Sequence, residues 1–158
     1  VLVDAEVVTS DHDNVVLDLA DLNGSNGFRL DGIDVGDDSG SSVSTAGDVN
    51  GDGYDDILVA AKSADPGGDS RAGETYVVFG SGSGFAASLD LSTLDGSNGF
   101  RLDGIDAWDR SGMSVSTAGD VNGDGYADIL VGAYYASPGG DSSAGETYVI
   151  FGLSSIHI

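Results

Sequence analysis

Nine residues, Asp48-Val49-Asn50-Gly51-Asp52-Gly53-Tyr54-Asp55-Asp56, carry oxygen-bearing side chains at positions 1, 3, 5 and 9 of a short loop. The same spacing returns 72 positions later as Asp120-Val121-Asn122-Gly123-Asp124-Gly125-Tyr126-Ala127-Asp128. Oxygens so spaced can converge on a hard cation when the chain between them turns tightly. Gly51 and Gly53, with Gly123 and Gly125 in the second copy, permit that turn because glycine tolerates positive φ. Tyr54 or Tyr126, at position 7, adds a backbone carbonyl. Calcium accepts six to eight such oxygens at roughly 2.3–2.6 Å. Three aspartates among the donors of each loop repel one another unless a cation lies between them. The competing reading is a polar Asp/Asn/Gly hairpin with no metal. Two copies with one ligand spacing favour calcium, at two ions per chain. The candidate ligands are therefore Asp48, Asn50, Asp52, Tyr54 and Asp56, and Asp120, Asn122, Asp124, Tyr126 and Asp128.

An EF-hand needs a bidentate Glu at position 12 and a helix on either side. Position 12 is Val59 here, and Val131 in the second copy. Each loop leads into a short apolar run, Ile57-Leu58-Val59-Ala60-Ala61 and Ile129-Leu130-Val131-Gly132-Ala133, without helical periodicity. These runs predict fully buried strands. The loop thus joins two strands, and the EF-hand is rejected.

The elements that hold the loops come from a repeat. Residues 23–80 align without a gap to 95–152, and 12 of those 58 positions differ. Self-similarity at a fixed period signals stacked or radial repeats. Each copy offers four strand candidates bounded by Gly, Asp and Ser turns. In the first they are Phe28-Arg29-Leu30, Ser42-Val43-Ser44-Thr45, Ile57 to Ala61, and Thr75 to Phe79. In the second they are Phe100-Arg101-Leu102, Ser114 to Thr117, Ile129 to Ala133, and Thr147 to Phe151. Glycine is too frequent for long helices. The expected fold is all-β: two four-stranded antiparallel propeller-type blades, with a calcium loop between the first and second strand of each. The spatial order expected is Ser-Val-Ser-Thr innermost, then Ile-Leu-Val, then Tyr-Val-Val-Phe, with Phe-Arg-Leu outermost. The surplus over a common blade length falls in Ser63 to Gly73 and Gly80 to Gly99. The organisation reads as an N-terminal strand-forming segment (1–22) and two repeats (23–94 and 95–158) that make one structural unit. In the first segment Val1 to Val3, Val7-Val8 and Val15 to Leu19 favour strands, with Ser10 to Asn14, including His12, as a turn. Leu17-Asp18-Leu19 has a partial counterpart in Leu89-Asp90-Leu91.

Composition limits the partners. The 158 residues carry a formal charge of -22, with 27 acidic residues against five Lys and Arg. Nucleic acid and anionic membrane surfaces need a basic footprint and are poor partners. Hydrophobic content of 40% argues against disorder. No cysteine is present, so no disulfide framework exists. No apolar run approaches membrane-spanning length. The chain begins at Val1 and its one Met is Met113, which suggests a processed protein or a fragment. Secretion is expected, because a weak calcium site stays filled only where calcium is plentiful.

The sequence resembles the FG-GAP repeat family, the blades of integrin α-subunit β-propellers and of many large secreted bacterial proteins. The motif Gly-Asp-Val-Asn-Gly-Asp-Gly-Tyr followed by Asp-Ile-Leu-Val-Gly-Ala stands at Gly119 to Ala133, and slightly altered at Gly47 to Ala61. The resemblance implies the same ten calcium ligands. It departs at the family's Phe-Gly before the inner strand, which is Ser39-Gly40 and Ser111-Gly112 here. The family's Gly-Ala-Pro is Ala60-Ala61-Lys62 and Gly132-Ala133-Tyr134. Those departures weaken integrin-like ligand recognition and leave the calcium assignment intact.

Other motifs read more plainly. Pro66 to Ser70 and Pro138 to Ser142 are turns. Asp34, Asp37 and Asp38 form an acidic loop, but the second copy has Arg110 in place of Asp38, against a repeated metal site. Trp108 and Tyr134-Tyr135 replace Gly36, Lys62 and Ser63, and such aromatics are enriched in contact surfaces. Neither His12 nor His157 lies in a nucleophile–base pattern, so no enzyme activity is expected. The chain reads as a secreted, calcium-stabilised structural or adhesive module, with recognition of an extracellular protein or glycan as the alternative. Counting strands by blade leaves Phe28-Arg29-Leu30 spare and the second blade without its outer strand. Head-to-tail self-association into a ring or filament is the expected consequence; a piece of a longer chain that supplies the strands itself is the alternative.

Overall fold

The structure is a computed structural model and describes residues 16–152. Three sheets account for its strands. The first blade contains β2 (Ser39–Gly47), β3 (Asp56–Ala61), β4 (Glu74–Val78) and β6 (Gly99–Asp103), hydrogen-bonded in that order and antiparallel throughout. The second contains β7 (Ser111–Gly119), β8 (Asp128–Ala133) and β9 (Glu146–Ile150), also antiparallel. β1 (Arg29–Asp31) and β5 (Ser88–Asp90) form a separate parallel pair. The strand order agrees with the expected one, and the outer strand of the first blade comes from the second repeat. The blades are propeller-like, but the sheets do not close on themselves.

Three expectations need correction. Against the two four-stranded blades expected, the second blade has three strands among the described residues, as the count of strands by blade implies. Phe28-Arg29-Leu30 is not a spare strand: Arg29 pairs with Ser88 across the parallel ladder, and the Phe28 ring stacks on Phe85 at 4.1 Å. β5 accordingly lies inside what read as loop surplus. At the N-terminus, Val16 to Asp18 makes no strand, and Leu19–Asp21 is a single 3-10 turn. The reason is local: the Asp18 carboxylate accepts the Ala20 N–H at 2.9 Å and competes with a strand ladder. Asp90 caps Leu91–Thr93 in the same way. Pro66–Gly68 and Pro138–Gly140 are 3-10 turns, as their Pro and Gly require. Val1 to Val15, with the Ser10–Asn14 turn and His12, and also His157, lie outside the described residues.

The core explains why β3 lacks polar alternation. One face of the first blade sends Leu58, Ala60, Val77 and Phe79 against Val115, Ile129 and Val131 of the second. The opposite face, with Val59, Ala61, Tyr76 and Val78, is covered by Leu91 and by Leu30, Leu89 and Leu94. A strand buried on both faces must be apolar at every position. The blades approach closely because Gly112 stands at the seam: a Cβ there would lie 2.7 Å from Thr75 Oγ1 and 3.0 Å from Ala60 Cβ. Its φ of +84° also favours glycine.

Thr75 is fully buried at this seam, and its hydroxyl has no hydrogen-bond partner among the described residues. Replacing an unpartnered hydroxyl with a methyl of the same shape removes a desolvation cost. Thr75→Val is therefore expected to stabilise the chain by about 1 kcal/mol, read as a raised denaturant midpoint at unchanged slope.

Candidate metal centre

Each acidic loop spans the turn between the first two strands of its blade, from Gly47 to Asp56 and from Gly119 to Asp128. Asp48 organises the first. Its Oδ1 accepts the N–H groups of Gly51 at 2.6 Å and Asp52 at 3.1 Å, and its Oδ2 accepts that of Gly53 at 2.9 Å. Asn50 Oδ1 accepts the Asp52 N–H, while Asp52 Oδ1 accepts the Tyr54 N–H, both at 2.9 Å. The second loop repeats this bond for bond around Asp120, Asn122 and Asp124. Gly51 and Gly53 have φ of +77° and +88°, so the tight turn uses the conformations that glycine favours.

Asp56 and Asp128 hold a different place. Asp56 is buried; its two oxygens accept the Val49 N–H at 2.9 Å and the Gly80 N–H at 2.8 Å. Asp128 binds Val121 and Gly152 likewise, at 2.7 and 2.9 Å. Burial pushes the Asp56 carboxyl above its ordinary range, and the Gly80 and Val49 N–H groups oppose that shift. The Phe-Gly pairs at Phe79-Gly80 and Phe151-Gly152 are thus part of the loop architecture, which loop spacing alone did not reveal. The recurrence of Phe-Gly at the repeat period was the available signal.

The structure therefore brings Asp48, Asn50, Asp52 and Tyr54 into one hydrogen-bonded turn and sets Asp56 beneath it as a tie. As placed, no three acidic or histidine side chains among the described residues converge closely enough to hold an ion. The donor chemistry still fits a hard cation. The set is carboxylate, amide and carbonyl oxygen, and no Lys or Arg among the described residues forms a salt bridge to any of these carboxylates. Asp48 Oδ1 is occupied by two N–H groups, whereas Asp48 Oδ2 and Asp52 Oδ1 each accept one and retain lone-pair capacity for a cation.

The two loops also touch. The Ala127 N–H donates to the Asp48 carbonyl at 2.9 Å, and a Cβ on Gly51 would lie 2.3 Å from the Tyr126 ring. Both acidic loops thus crowd one end of the blade pair. At the other end of the strands the acidic segment 34–38 is dispersed: Asp38 pairs with Lys62 at 2.7 Å and Ser63 at 2.9 Å, and Asp37 is buried.

Comparison with known proteins agrees with this architecture. The model of the FG-GAP repeat matches residues 39–78 and 111–150, which are the β2–β4 and β7–β9 units. The chain is 34% identical over 134 residues to integrin alpha-PS2 of Drosophila melanogaster, covering 82% of this chain and 9% of that protein. It is 38% identical over 118 residues to integrin alpha pat-2 of Caenorhabditis elegans, covering 72% of this chain and 9% of that one. A third relative, phosphatidylinositol-glycan-specific phospholipase D of Mus musculus, is 32% identical over 111 residues, covering 70% of this chain and 12% of that protein. The chain spans about a tenth of the length of these curated relatives. With two copies of the repeat matched across half its residues, and each match covering three consecutive strands of one sheet, the chain belongs to the FG-GAP repeat family.

Proposed function

We propose that this chain is a secreted, calcium-stabilised pair of blades with a structural or adhesive role, and that it associates head to tail by sharing an outer strand. The observation that carries the calcium reading is the pair of identically bonded acidic turns with no basic partner among the described residues. Asp48, Asn50, Asp52, Tyr54 and Asp56 would hold one ion, and Asp120, Asn122, Asp124, Tyr126 and Asp128 the other. Calcium would supply charge, relieving repulsion within each turn, and no reaction. This reading includes no enzymatic role, although a phospholipase D stands among the relatives. No helix among the described residues is long and apolar enough to cross a membrane.

The assembly reading rests on two matched sets of open groups. The first is at the strand edges. Phe79 N–H bonds the Asn98 carbonyl, so antiparallel alternation turns the main chain of Phe100 and Leu102 toward β4. In β1 the Arg29 N–H bonds the Ala87 carbonyl, which leaves Phe28 and Leu30 facing away from β5. Residues 25–34 are identical to 97–106. The edge of β1 left free is thus the one that β6 uses, and β9 is the strand it fits. In that register Arg29 of one copy stands by Glu146 of the next, as Arg101 stands 3.3 Å from Glu74.

The second set is the sheet faces. Val115 is buried against the first blade, whereas its counterpart Val43 is 64% exposed. Val77 is fully buried, whereas Val149 is 49% exposed. One copy's Val43 face would cover another's Val149 face as the second blade covers the first. A second reading has its own support in the tenfold greater length of the relatives: neighbouring repeats of one long chain would fill the same edges.

Calorimetry is expected to count two calcium ions per chain, and Asp52→Ala one. Calcium at tenfold above its Kd should add about 1.4 kcal/mol per site. No binding at millimolar calcium, with a melting temperature indifferent to chelator, overturns the calcium reading. Asp56→Ala should instead cost about 1–3 kcal/mol even in chelator, because the Val49 and Gly80 N–H groups lose their acceptor.

Sedimentation of the intact chain is expected to give species larger than a monomer, and Val149→Asp should return them to monomer. A folded monomer of the unaltered chain overturns self-association and favours the longer-chain reading.

A further inference from the structure

Away from the acidic turns, the differences between the two repeats gather in one place. Gly36, Asp38, Lys62 and Ser63 of the first copy become Trp108, Arg110, Tyr134 and Tyr135. In the first repeat Asp38 and Lys62 neutralise each other across this corner. In the second, the Arg110 guanidinium lies 5.1 Å above the Tyr135 ring, and Tyr135 meets Tyr134 edge-on at 5.0 Å. Arg71 reaches over from the first repeat and places its guanidinium 5.1 Å above Trp108. Main-chain bonds hold the two arginines side by side: Arg110 N–H to the Arg71 carbonyl at 3.1 Å, and Trp108 N–H to the Ser70 carbonyl at 2.8 Å.

Three features separate this corner from ordinary packing. The rings stand in solvent, with Trp108 57% and Tyr134 66% exposed. In a chain with 27 acidic residues, neither guanidinium forms a salt bridge among the described residues. Even Asp65, which touches Arg71, takes its main-chain N–H at 2.6 Å and leaves the side chain on the ring. Finally, Trp108 holds a φ of +75°, where the first repeat has Gly36 at +94°. A bulky residue in the left-handed region is strained, and such strain is retained where a side chain has work to do.

We propose that Trp108, Arg110 and Tyr135, with Arg71 behind them, form a binding site for a short acidic saccharide, recognised as a single uronate unit. These three residues line a shallow, open depression of about 210 Å³, with room for one sugar ring. The aromatic faces suit the apolar C–H face of a sugar. A guanidinium anchored by cation–π stacking keeps its N–H fork free for a carboxylate, which it binds bidentately. The net charge of -22 repels a long polyanion at a distance, so the ligand is short and carries one or two charges.

Trp108 is the one tryptophan in the sequence, so its fluorescence reports the site directly. The probe is a tetrasaccharide containing glucuronic acid, titrated at fixed calcium beside its carboxyl-reduced, neutral counterpart and an acidic tripeptide. A saturable change in Trp108 emission is expected with the acidic sugar, weaker on the order of tenfold with the neutral one. Arg110→Gln should weaken acidic-sugar binding to the neutral level while leaving neutral-sugar binding and the melting temperature unchanged. Trp108→Gly restores the first repeat's residue at a strained position, so it should fold at least as well and lose binding by calorimetry. No emission change up to about 10 mM sugar, equal affinity for the neutral form, binding that survives Arg110→Gln, or tighter binding of the peptide each overturns the proposal.

Discussion

The buried carboxylates of Asp56 and Asp128 are the ties on which each blade depends. One side chain at the start of β3 accepts an N–H from the acidic turn before it and another from the glycine just past β4. It therefore ties the start of β3 to two stretches that lie just beyond the ends of its ladders, Val49 in the turn and Gly80 past β4. An aspartate in that position has nowhere to find water, so its oxygens must be satisfied by the protein. Glycine stands just past β4 for a steric reason: a Cβ on Gly80 would lie 2.6 Å from the Tyr54 Cβ and the Asp55 carbonyl. The recurring Asp-Ile-Leu-Val and Phe-Gly are two halves of one contact, separated by a whole hairpin.

The seam between the blades arises from the same economy of side-chain volume. Apolar residues from both sheets meet there, and small residues let the backbones approach. A Cβ on Gly73 would lie 2.1 Å from the Ser111 carbonyl oxygen, and the Ser111 N–H bonds the Ala72 carbonyl at 2.8 Å. Glu74, Tyr76 and Arg101 add a polar tie across the outer strand: Tyr76 donates to Glu74, and Arg101 pairs with the same carboxylate. Burial and that carboxylate together push the Tyr76 hydroxyl well above its usual range, so it remains a donor. In the second blade Tyr148 and Glu146 keep the bond without an arginine, and the Tyr148 hydroxyl is pushed up to about 12, mainly by burial.

Two nearly identical repeats thus sit in unequal surroundings. The first is covered on its outer edge and, over β3 and β4, on both faces, with Val43 of β2 left exposed; the second has one open face and one open edge among the described residues. Identical strands differ in exposure only because of what lies beside them, as Val77 and Val149 do. The residues that differ between repeats are concentrated where sequence is free to vary, in the corner that holds Trp108, Arg110 and the tyrosine pair. The framework is maintained twice, and its surface is specialised once.

Local patterning determined the all-β class, the strand order and the place of the acidic turns. Asp48-x-Asn50-x-Asp52 with two interleaved glycines folds into the expected turn because its hydrogen bonds are made within a few residues. Ile57 to Ala61 reads as a buried strand because it has no polar side to expose. What tertiary structure decided were the contacts between distant segments. Asp56 read as one more loop oxygen, yet the fold turns it inward to bind Gly80. Phe28-Arg29-Leu30 read as an unpaired strand, and only the folded chain brings Ser88–Asp90 beside it. The strand expected at Val15 to Leu19 yields, over the described residues, to a turn capped by Asp18. β-branched residues favour a strand only when a neighbour completes the ladder, and whether a neighbour stands there is a property of the whole chain.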